Sequence, residues 1–270
     1  MDFDLKKYPR TPHLEGSRLQ PGDEDLSQIP FSDIKEKYLV IEEKIDGANS
    51  AISFSEEGEL LLQSRGHYLT GGYRERHFNL LKQWANVHMD NFFDVLGTRY
   101  IMYGEWMYAK HSVYYDALPA YFMEFDIFDR EREVFLDTPS RRKLTAQMPI
   151  CSVPVLAQGV FESTEQILSY LGESNYIRAG HIERLREYCL NNGQDAQQRC
   201  AETDQSTTME GLYIKIEENG CTVGRLKYVR VSFAQTIAQS GTHWIDRPII
   251  PNGLAVPMEN LFLPLQKNEV

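Results

Sequence analysis

The feature that most constrains the fold of this chain is a series of short β-prone runs separated by turn-forming residues. Such runs are residues 38–41, 51–54, 60–62, 100–106, 121–128, 211–216 and 224–229. Short apolar, aromatic or alternating runs of this length are typical of strands. Residues 56–59, with Gly58 among them, predict a hairpin turn between the second and third runs. Strands therefore dominate the prediction.

Helices are predicted between and around these strands. They span residues 75–88, 163–171, 179–190 and 233–238. The first has Phe78, Leu81 and Ala85 at helical spacing. Ser163 with Gln166 resembles a capping box, which opens the second. The mixture of strands with surrounding helices indicates the α+β class.

The chain divides into three parts by composition. Residues 1–35 are rich in Pro, Gly, Asp and Ser and predict an irregular lead-in. A central domain is expected over residues 36–245, with a helical insertion at about 160–205. Within it, residues 191–208 are polar and predict a mobile loop. A proline-punctuated tail follows over residues 246–270.

Composition excludes some classes of protein. The 270 residues, 42% of them apolar, are typical of a globular protein. No run approaches the roughly 20 apolar residues of a membrane span, and the N-terminus lacks a secretory signal. The four cysteines form no CxxC pair, which predicts reduced thiols in a cytoplasmic protein. A net charge of −11 argues against bulk coating of nucleic acid, although it allows a local basic groove.

A lysine follows the first predicted strand in the run Glu43-Lys44-Ile45-Asp46-Gly47. The Lys44 amine is a nucleophile only when neutral, and the pKa of a free lysine is about 10.4. Burial, a nearby cation or a bound metal lowers that pKa. Asp46 is either part of this chemistry or an ion-pair partner of Lys44 or of a basic neighbour.

Groups suited to nucleotide chemistry follow downstream in order. Attack of an amine on the α-phosphate of ATP needs cations at the phosphates, a ribose contact, an adenine surface and carboxylates for a divalent metal. The corresponding runs are Ser64-Arg65-Gly66, Tyr103-Gly104-Glu105-Trp106, the aromatic run 122–128, Glu210 with Lys215, and the cationic run 224–230. Each run alone is weak, but the ordered set is specific.

Together these motifs resemble the ATP-dependent RNA ligases of the covalent nucleotidyltransferase superfamily, which also contains DNA ligases and mRNA capping enzymes. The matched positions span residues 43–230, most of the chain. The resemblance implies a nucleotidyltransferase (adenylation) domain of packed antiparallel sheets with surrounding helices, and ATP in the cleft between the sheets. It assigns these residues to ATP: Glu42, Glu43, Ile45, Asn49, Arg65, Glu105, Phe125 and Glu210.

The resemblance also implies a role for the lysines and carboxylates. Lys44 would form a lysyl-AMP phosphoramidate, and Lys215 and Lys227 would grip the α-phosphate, with Lys227 lowering the pKa of the amine. Glu210 and Asp46 would hold Mg²⁺ or Mn²⁺.

The remaining matched residues would contact the nucleotide or the nucleic acid. Glu105 would bind the ribose and Phe125 would stack on adenine. Arg65 and Asn49 would contact sugar, phosphate or the nucleic-acid end.

Several alternatives stay open at this point. Phe122 is a second candidate for the adenine platform, and core packing is an alternative for Phe125. Arg65 either contacts substrate or pairs with Asp46 or Glu43. Many family members carry two lysines separated by one residue where this chain has Lys227 and Val229. Arg225 or Arg230 is the candidate substitute.

The lead-in resembles a segment that precedes the nucleophile in some bacterial RNA ligases. We expect Arg10, His13 and Arg18 of this segment, together with Arg230, to contact nucleic acid. The alternative is that the segment packs over the sheet.

The implied function is sealing of RNA ends that carry a 5′-phosphate and a 3′-hydroxyl, through lysyl-AMP and an RNA-adenylate. Alternatives are a DNA ligase, a capping-type guanylyltransferase, or an adenylating subunit of an RNA repair complex that needs partner proteins to seal. The sequence after Lys227 has no obvious five-stranded oligonucleotide-binding barrel, which favours RNA ligase over DNA ligase or capping enzyme.

Overall fold

The strands of the computed structural model, which describes residues 5–19, 23, 25–234 and 247–263, form one sheet. They are β1 (His13–Leu14), β2 (Gln28–Ile29), β3 (Leu39–Lys44), β4 (Ala48–Phe54), β5 (Leu60–Ser64), β6 (Tyr100–Trp106), β7 (Phe122–Asp129), β8 (Val134–Leu136), β9 (Cys151–Ser152), β10 (Val155–Gly159), β11 (Gly211–Glu218) and β12 (Cys221–Val229). Every predicted strand is therefore present.

The helices surround this sheet. They are α1 (Asn79–Val87), α2 (Met89–Leu96), α3 (Thr138–Thr145), α4 (Thr164–Leu168), α5 (His181–Asn191) and α6 (Ala196–Ala201), with 3₁₀ turns at Phe31–Asp33, Tyr73–Phe78 and Met258–Phe262. The predicted α+β class is confirmed. No helix among the described residues has the length and apolar character to cross a bilayer.

The sheet has two halves joined by one short strand. Its order is β10-β3-β11-β12-β8-β7-β6-β4-β5, and neighbours along this path are antiparallel. The three residues of β8 pair with β12 on one side and β7 on the other. The two expected antiparallel layers are thus continuous through β8, and a cleft lies between them.

Each half of the sheet has its own core. The α1 helix buries Leu81, Trp84 and Ala85 against the β4–β6 half, as the helical spacing predicts. The β3–β11 half buries a second cluster that includes Ile41 and Ile214. The two cores hold the halves rigid on either side of the cleft.

Some predicted element boundaries need correction. The expected helix at residues 75–88 is a 3₁₀ turn followed by α1. The loop predicted at residues 191–208 contains the short helix α6, whose N-terminus Asp195 caps by accepting a hydrogen bond from the Gln198 N–H at 2.9 Å, and the residues on either side of α6 are irregular. Residues 231–234 are helical, and the rest of the helix predicted at 233–238 lies outside the described residues.

The lead-in is more regular than predicted. β1 pairs with β2 and, in parallel, with β12, with His13 opposite Lys227. The Lys227 N–H donates to the Pro12 carbonyl at 2.9 Å. The segment therefore adds to the sheet beside the cleft, and its contact with nucleic acid stays a prediction.

A buried network of charges connects the two halves behind the cleft. Its three carboxylates and three cations are Glu42, Glu124, Asp126, Arg141, Lys215 and Arg225. Arg141 of α3 lies 2.8 Å from Glu42 of β3 and 3.1 Å from Glu124 of β7. Because the formal charges cancel and each group has a partner, the network tolerates burial.

The other end of the network centres on Asp126 of β7. Its carboxylate lies 2.8 Å from Arg225 of β12 and 3.5 Å from Lys215 of β11. Burial raises the pKa of Asp126, but the charges of Arg225 and Lys215 outweigh burial and lower it overall. Asp126 is thus ionised and ties β7 to the opposite half of the sheet.

Removing one member of this network should destabilise the fold. We expect Arg141→Met to lower the free energy of unfolding by about 3–5 kcal/mol, because it leaves two buried carboxylates without that cation. The neighbouring Arg142 is exposed, so Arg142→Met should change the free energy by less than about 0.5 kcal/mol. Urea denaturation of both variants measures the difference. Equal stability of the two variants would contradict this role of the network.

Candidate functional site

The cleft between the two halves of the sheet has a volume of about 1430 Å³. It is larger than a typical small-molecule pocket of roughly 300–1,000 Å³. The β3–β4 turn enters it at Gly47, where a Cβ atom would lie 2.8 Å from the Trp106 carbonyl oxygen. A side chain at this position would push the turn away from β6, so glycine keeps Lys44 close to the groups on that strand.

Lys44 lies at the end of β3 with its amine in the cleft. Its Nζ is 2.7 Å from Oε1 of Glu210, whose side chain is 1% exposed, whereas that of Lys44 is 20% exposed. The pairing of Lys44 with Gly211 across β3 and β11 brings Glu210 to this position. The two residues are far apart in the sequence, and the pairing of β3 with β11 brings them together.

The electrostatic environment keeps this amine protonated when no ligand is present. Burial lowers the pKa of Lys44, but the charges of Glu210, Glu105 and Asp46 outweigh burial and raise it overall. The charge of Lys44 lowers the pKa of Lys227, so the two ammonium groups repel each other, but in the ligand-free site the carboxylates outweigh this effect on Lys44.

Three carboxyl groups, those of Glu210, Glu105 and Asp46, lie around the Lys44 ammonium. Burial raises the pKa of Glu105 to about 8 and that of Glu210 to about 7, although Lys44 opposes both shifts. The Glu105 carboxylate also accepts a hydrogen bond from the Gly47 N–H at 3.1 Å. The site therefore favours binding of additional positive charge.

Asp46 organises a neighbouring loop. Its Oδ2 accepts hydrogen bonds from the Ser112 N–H at 2.7 Å and the Val113 N–H at 3.2 Å, and its Oδ1 lies 3.8 Å from His111 Nδ1. The ion pair of Asp46 with Lys44 that the sequence left open is not formed. Assignment of Asp46 to a metal stays a prediction. The described residues hold no preformed group of three or more metal-binding side chains.

The other two acids beside Lys44 are bound to protein groups. Glu43 accepts hydrogen bonds from Ser174 Oγ at 2.5 Å and from Asn175 Nδ2 at 2.7 Å, and burial raises its pKa. Glu42 belongs to the buried network. Glu42 and Glu43 also line the cleft, so their assignment to ATP stays a prediction, although in the ligand-free structure their carboxylates bind α3 and the 174–175 loop. Ile45 packs in the core and lines the cleft, and its assignment likewise stays a prediction.

Phe125 projects into the cleft from a β-bulge. The β6–β7 register shifts between Glu124 and Asp126, which leaves Phe125 as the extra residue. Its ring is half-buried, lines the cleft and meets the Tyr8 ring at 5.1 Å. Phe122 is buried and stacks on Trp84 at 5.4 Å, so the alternative platform is excluded.

Lys215 forms a hydrogen bond with the backbone of this bulge. Its Nζ donates to the Phe125 carbonyl, and the residue is 0% exposed. The predicted contact of Lys215 with the α-phosphate is wrong for this structure, since the amine is enclosed by Glu42 and Asp126. Arg225 is likewise bound to Asp126 and is no substitute phosphate contact.

Lys227 is in the cleft, as predicted. Its Nζ lies 2.5 Å from Oδ2 of Asp23, a lead-in residue that the sequence analysis missed. Burial and the charge of Lys44 lower the pKa of Lys227 against the opposing effect of Asp23. Hydrogen bonds from His13 and Lys227 lower the pKa of Asp23 despite its burial.

The four residues expected to contact nucleic acid differ in their position relative to the cleft. Arg10 lines the cleft and pairs with Asp25 at 2.5 Å, whereas Arg18 is exposed and lies outside the cleft lining. His13 is 0% exposed and bonded to Asp23, so its assignment is wrong.

Arg230 is the second wrong assignment. It is buried and bonded to Asp204 and to the Met209 carbonyl, which leaves it outside the cleft. Among the predicted cleft residues, Asn49 and Arg65 do line the cleft. Arg65 is exposed and forms no ion pair with Asp46, Glu43 or any other described residue.

Sequence reasoning missed part of the cleft lining. The missed residues include Tyr8, Asp23, Tyr73, Arg74 and Arg247. Tyr73 and Arg74 carry no signal except two preceding glycines.

Comparisons with known proteins agree with this architecture. Residues 37–229 match the family model described as RNA ligase. No curated protein sequence matches the chain. Among solved structures, a Naegleria gruberi RNA ligase variant with AMP and Mn is similar at 15% identity and a TM-score of 0.53, over 86% of this chain and 57% of that one.

Two further structures of the Naegleria gruberi enzyme are similar. The form with PPi has 17% identity and a TM-score of 0.53, over 86% of this chain and 57% of that one. A variant with ATP and Mn has 15% identity and a TM-score of 0.51, over 86% and 60%. These likenesses support the fold. The present chain spans about three fifths of the length of these proteins.

The raised pKa of Glu105 predicts a pH-dependent stability. The ordinary value for the residue is 4.5 and the folded value about 8. Between these values only the folded state retains the proton, so the free energy of unfolding should fall as pH rises. In metal-free buffer, Glu105→Gln should reduce this fall between about pH 5 and 8 by roughly 1–4 kcal/mol.

Chemical denaturation at several pH values measures the effect. The exposed Glu57 provides the control, because Glu57→Gln should leave the pH profile as in the unmodified protein. An unchanged profile in Glu105→Gln would show that Glu105 is ionised normally in the folded state.

Proposed function

Because the chain belongs to the RNA ligase family, we propose that it is an ATP-dependent RNA ligase that carries AMP on Lys44. The observation that supports this most directly is the position of Lys44, with its amine in a large cleft and 2.7 Å from Glu210. A lysine used only for stability would not need to point into open volume. The solved Naegleria gruberi proteins of similar fold contain ATP or AMP with Mn, which supports the nucleotide assignment.

The proposed reaction begins with the neutral Lys44 amine. Its lone pair forms a bond to the α-phosphorus of ATP, the bond from that phosphorus to the bridging oxygen breaks, and pyrophosphate leaves. The ammonium must first lose a proton to solvent in the open cleft and separate from Glu210. Lys227, on the neighbouring strand, stabilises negative charge on the phosphates once Asp23 releases it.

The remaining cleft residues orient the nucleotide in this proposal. Phe125 offers a half-buried ring for the adenine, and its bulge is fixed by Lys215. Glu105 lies opposite Asn49 in the β4–β6 pairing and accepts hydrogen bonds from the ribose hydroxyls. Arg65 is free of described ion pairs and contacts phosphate or the RNA end.

The carboxylates of the cleft suit a hard divalent cation. Glu210 and Asp46 supply oxygen donors, and Mg²⁺ or Mn²⁺ is commonly held by one or two carboxylates together with substrate phosphates. The excess of carboxylates over cations around Lys44 is the feature of this chain that fits such an ion. When bound, the ion neutralises charge on the phosphates.

The later steps join two RNA ends. In the proposal AMP passes from Lys44 to an RNA 5′-phosphate, and a 3′-hydroxyl then displaces AMP. Sealing either needs only this chain or requires partner proteins of an RNA repair complex. The shorter length of this chain relative to the Naegleria gruberi structures is the reason to test both.

The proposal predicts a covalent adduct on one lysine. Incubation with α-labelled ATP and Mg²⁺ or Mn²⁺ should label the protein, and Lys44→Met should abolish labelling because the nucleophile is gone. Lys37 is an exposed lysine paired with Glu218, so Lys37→Met should retain the adduct. Mass spectrometry locates the modified residue.

The same assay separates the alternatives. Labelling by GTP in preference to ATP would favour a capping-type guanylyltransferase, and sealing of nicked DNA better than RNA would favour a DNA ligase. A normal adduct with sealing only after addition of partner proteins would favour the repair-complex subunit. The absence of an adduct with every nucleoside triphosphate would refute the proposal.

A further inference from the structure

One wall of the cleft consists of two turns, of which the proposed function uses only Arg65. We call residues 64–67 and 71–75 the arginine wall, since Arg65 and Arg74 project from them. The first turn closes by a hydrogen bond from the Ser64 N–H to the His67 carbonyl at 2.9 Å. Both arginines are exposed, line the cleft and form no ion pair with any residue that the structure describes.

Tyr73 belongs to this wall, and its side chain is exposed to solvent. The residue is 80% exposed, the highest value among the large hydrophobic side chains described. The Arg76 guanidinium lies 4.6 Å from the ring centroid, which fixes the ring by a cation–π contact. An aromatic ring with this exposure contributes almost nothing to the core, so folding does not explain its position.

The backbone that carries Tyr73 is held in an unusual conformation. Gly71 and Gly72 have φ of 124° and 116°, values that side-chain-bearing residues rarely adopt. The Gly71 N–H donates to Glu75 Oε2 at 2.8 Å, and the same carboxylate binds Lys82 at 2.5 Å. The turn is therefore fixed before any ligand arrives, which reduces the entropy lost on binding.

The charge of the wall is opposite to that of the chain. The whole protein carries −11, so an anionic polymer is repelled on average. The acidic residue of this wall, Glu75, is buried, and its carboxylate is bonded to Lys82 and to the Gly71 N–H. Arg65 and Arg74 line the cleft. An exposed flat ring on the same wall as two arginines without described ion pairs fits the way in which proteins hold unpaired nucleotides, with bases stacked and phosphates at the cations.

We infer that the arginine wall binds an unpaired stretch of RNA next to the end to be sealed, with one base stacked on Tyr73 and phosphates at Arg65 and Arg74. The inference rests on the proposed function, because it names how that site holds its RNA. It extends that function by predicting a preference for ends with at least one unpaired nucleotide.

The test measures RNA binding directly and without ATP. Fluorescence anisotropy with a 5′-phosphorylated, single-stranded RNA of 12 nucleotides should show roughly ten-fold weaker binding for Tyr73→Ala, and binding within about two-fold for Tyr73→Phe, which keeps the stacking surface. Tyr38 is 43% exposed and outside the cleft lining, so Tyr38→Ala is the matched control with unchanged affinity.

An abasic scan distinguishes stacking from a structural effect of the substitution. RNAs with one abasic nucleotide at each of the terminal positions should include one probe for which the unmodified protein and Tyr73→Ala bind alike. A similar loss on every abasic probe would overturn the inference, as would equal affinity of Tyr73→Ala for the intact RNA. Binding of an acidic peptide in competition with RNA, unaffected by Tyr73→Ala, would also count against it.

The arginines have a separate readout. Arg74→Ala should reduce the slope of log affinity against log salt concentration by about 0.7, the value for one phosphate contact on a single strand. A failed adenylation assay would refute the proposed function but leave these binding results interpretable. Normal adenylation with no effect of Tyr73 or Arg74 on RNA binding would refute this inference alone.

Discussion

A buried charge network behind the cleft holds together the strands that carry the cleft residues. It links β3, β7, β11, β12 and α3 through three carboxylates and three cations. Each charge is tolerable in the interior only because its partners come from other strands. The same strands carry Lys44, Phe125 and Lys227 into the cleft, so pairing of the buried charges fixes the distances between the functional side chains.

The network also explains why one lysine lies in the cleft and another does not. Lys215 is enclosed by Glu42 and Asp126 and bonded to the bulged carbonyl of Phe125, so its charge is used to shape the strand. Lys44 has one face toward Glu210 and another toward open volume. The difference lies in which groups surround each amine, since both are lysines on adjacent strands of one sheet.

Two cations of the ligand-free cleft are paired with carboxylates. Glu210 binds Lys44, and Asp23 binds Lys227. In the proposed function, an incoming triphosphate would compete with these carboxylates for the two lysines, and a divalent cation would bind the carboxylates. Both exchanges would keep the charge of the cleft balanced, because each released side chain would find a partner of opposite sign on the ligand.

The strands, the α+β class and the lysine with its ordered downstream groups could be predicted from the sequence, because strand periodicity and motif order are local or one-dimensional properties. Lys215, His13 and Arg230 looked like ligand contacts, but they are bonded inside the protein, while Glu42 and Glu43 line the cleft with their carboxylates bonded to protein groups. These contacts depend on the folded chain, since a charged residue faces either a ligand or a buried partner according to strand register and the β7 bulge. Tyr73 was missed for the converse reason: two glycines with positive φ turn an ordinary tyrosine into the cleft, and that direction is a property of the folded backbone.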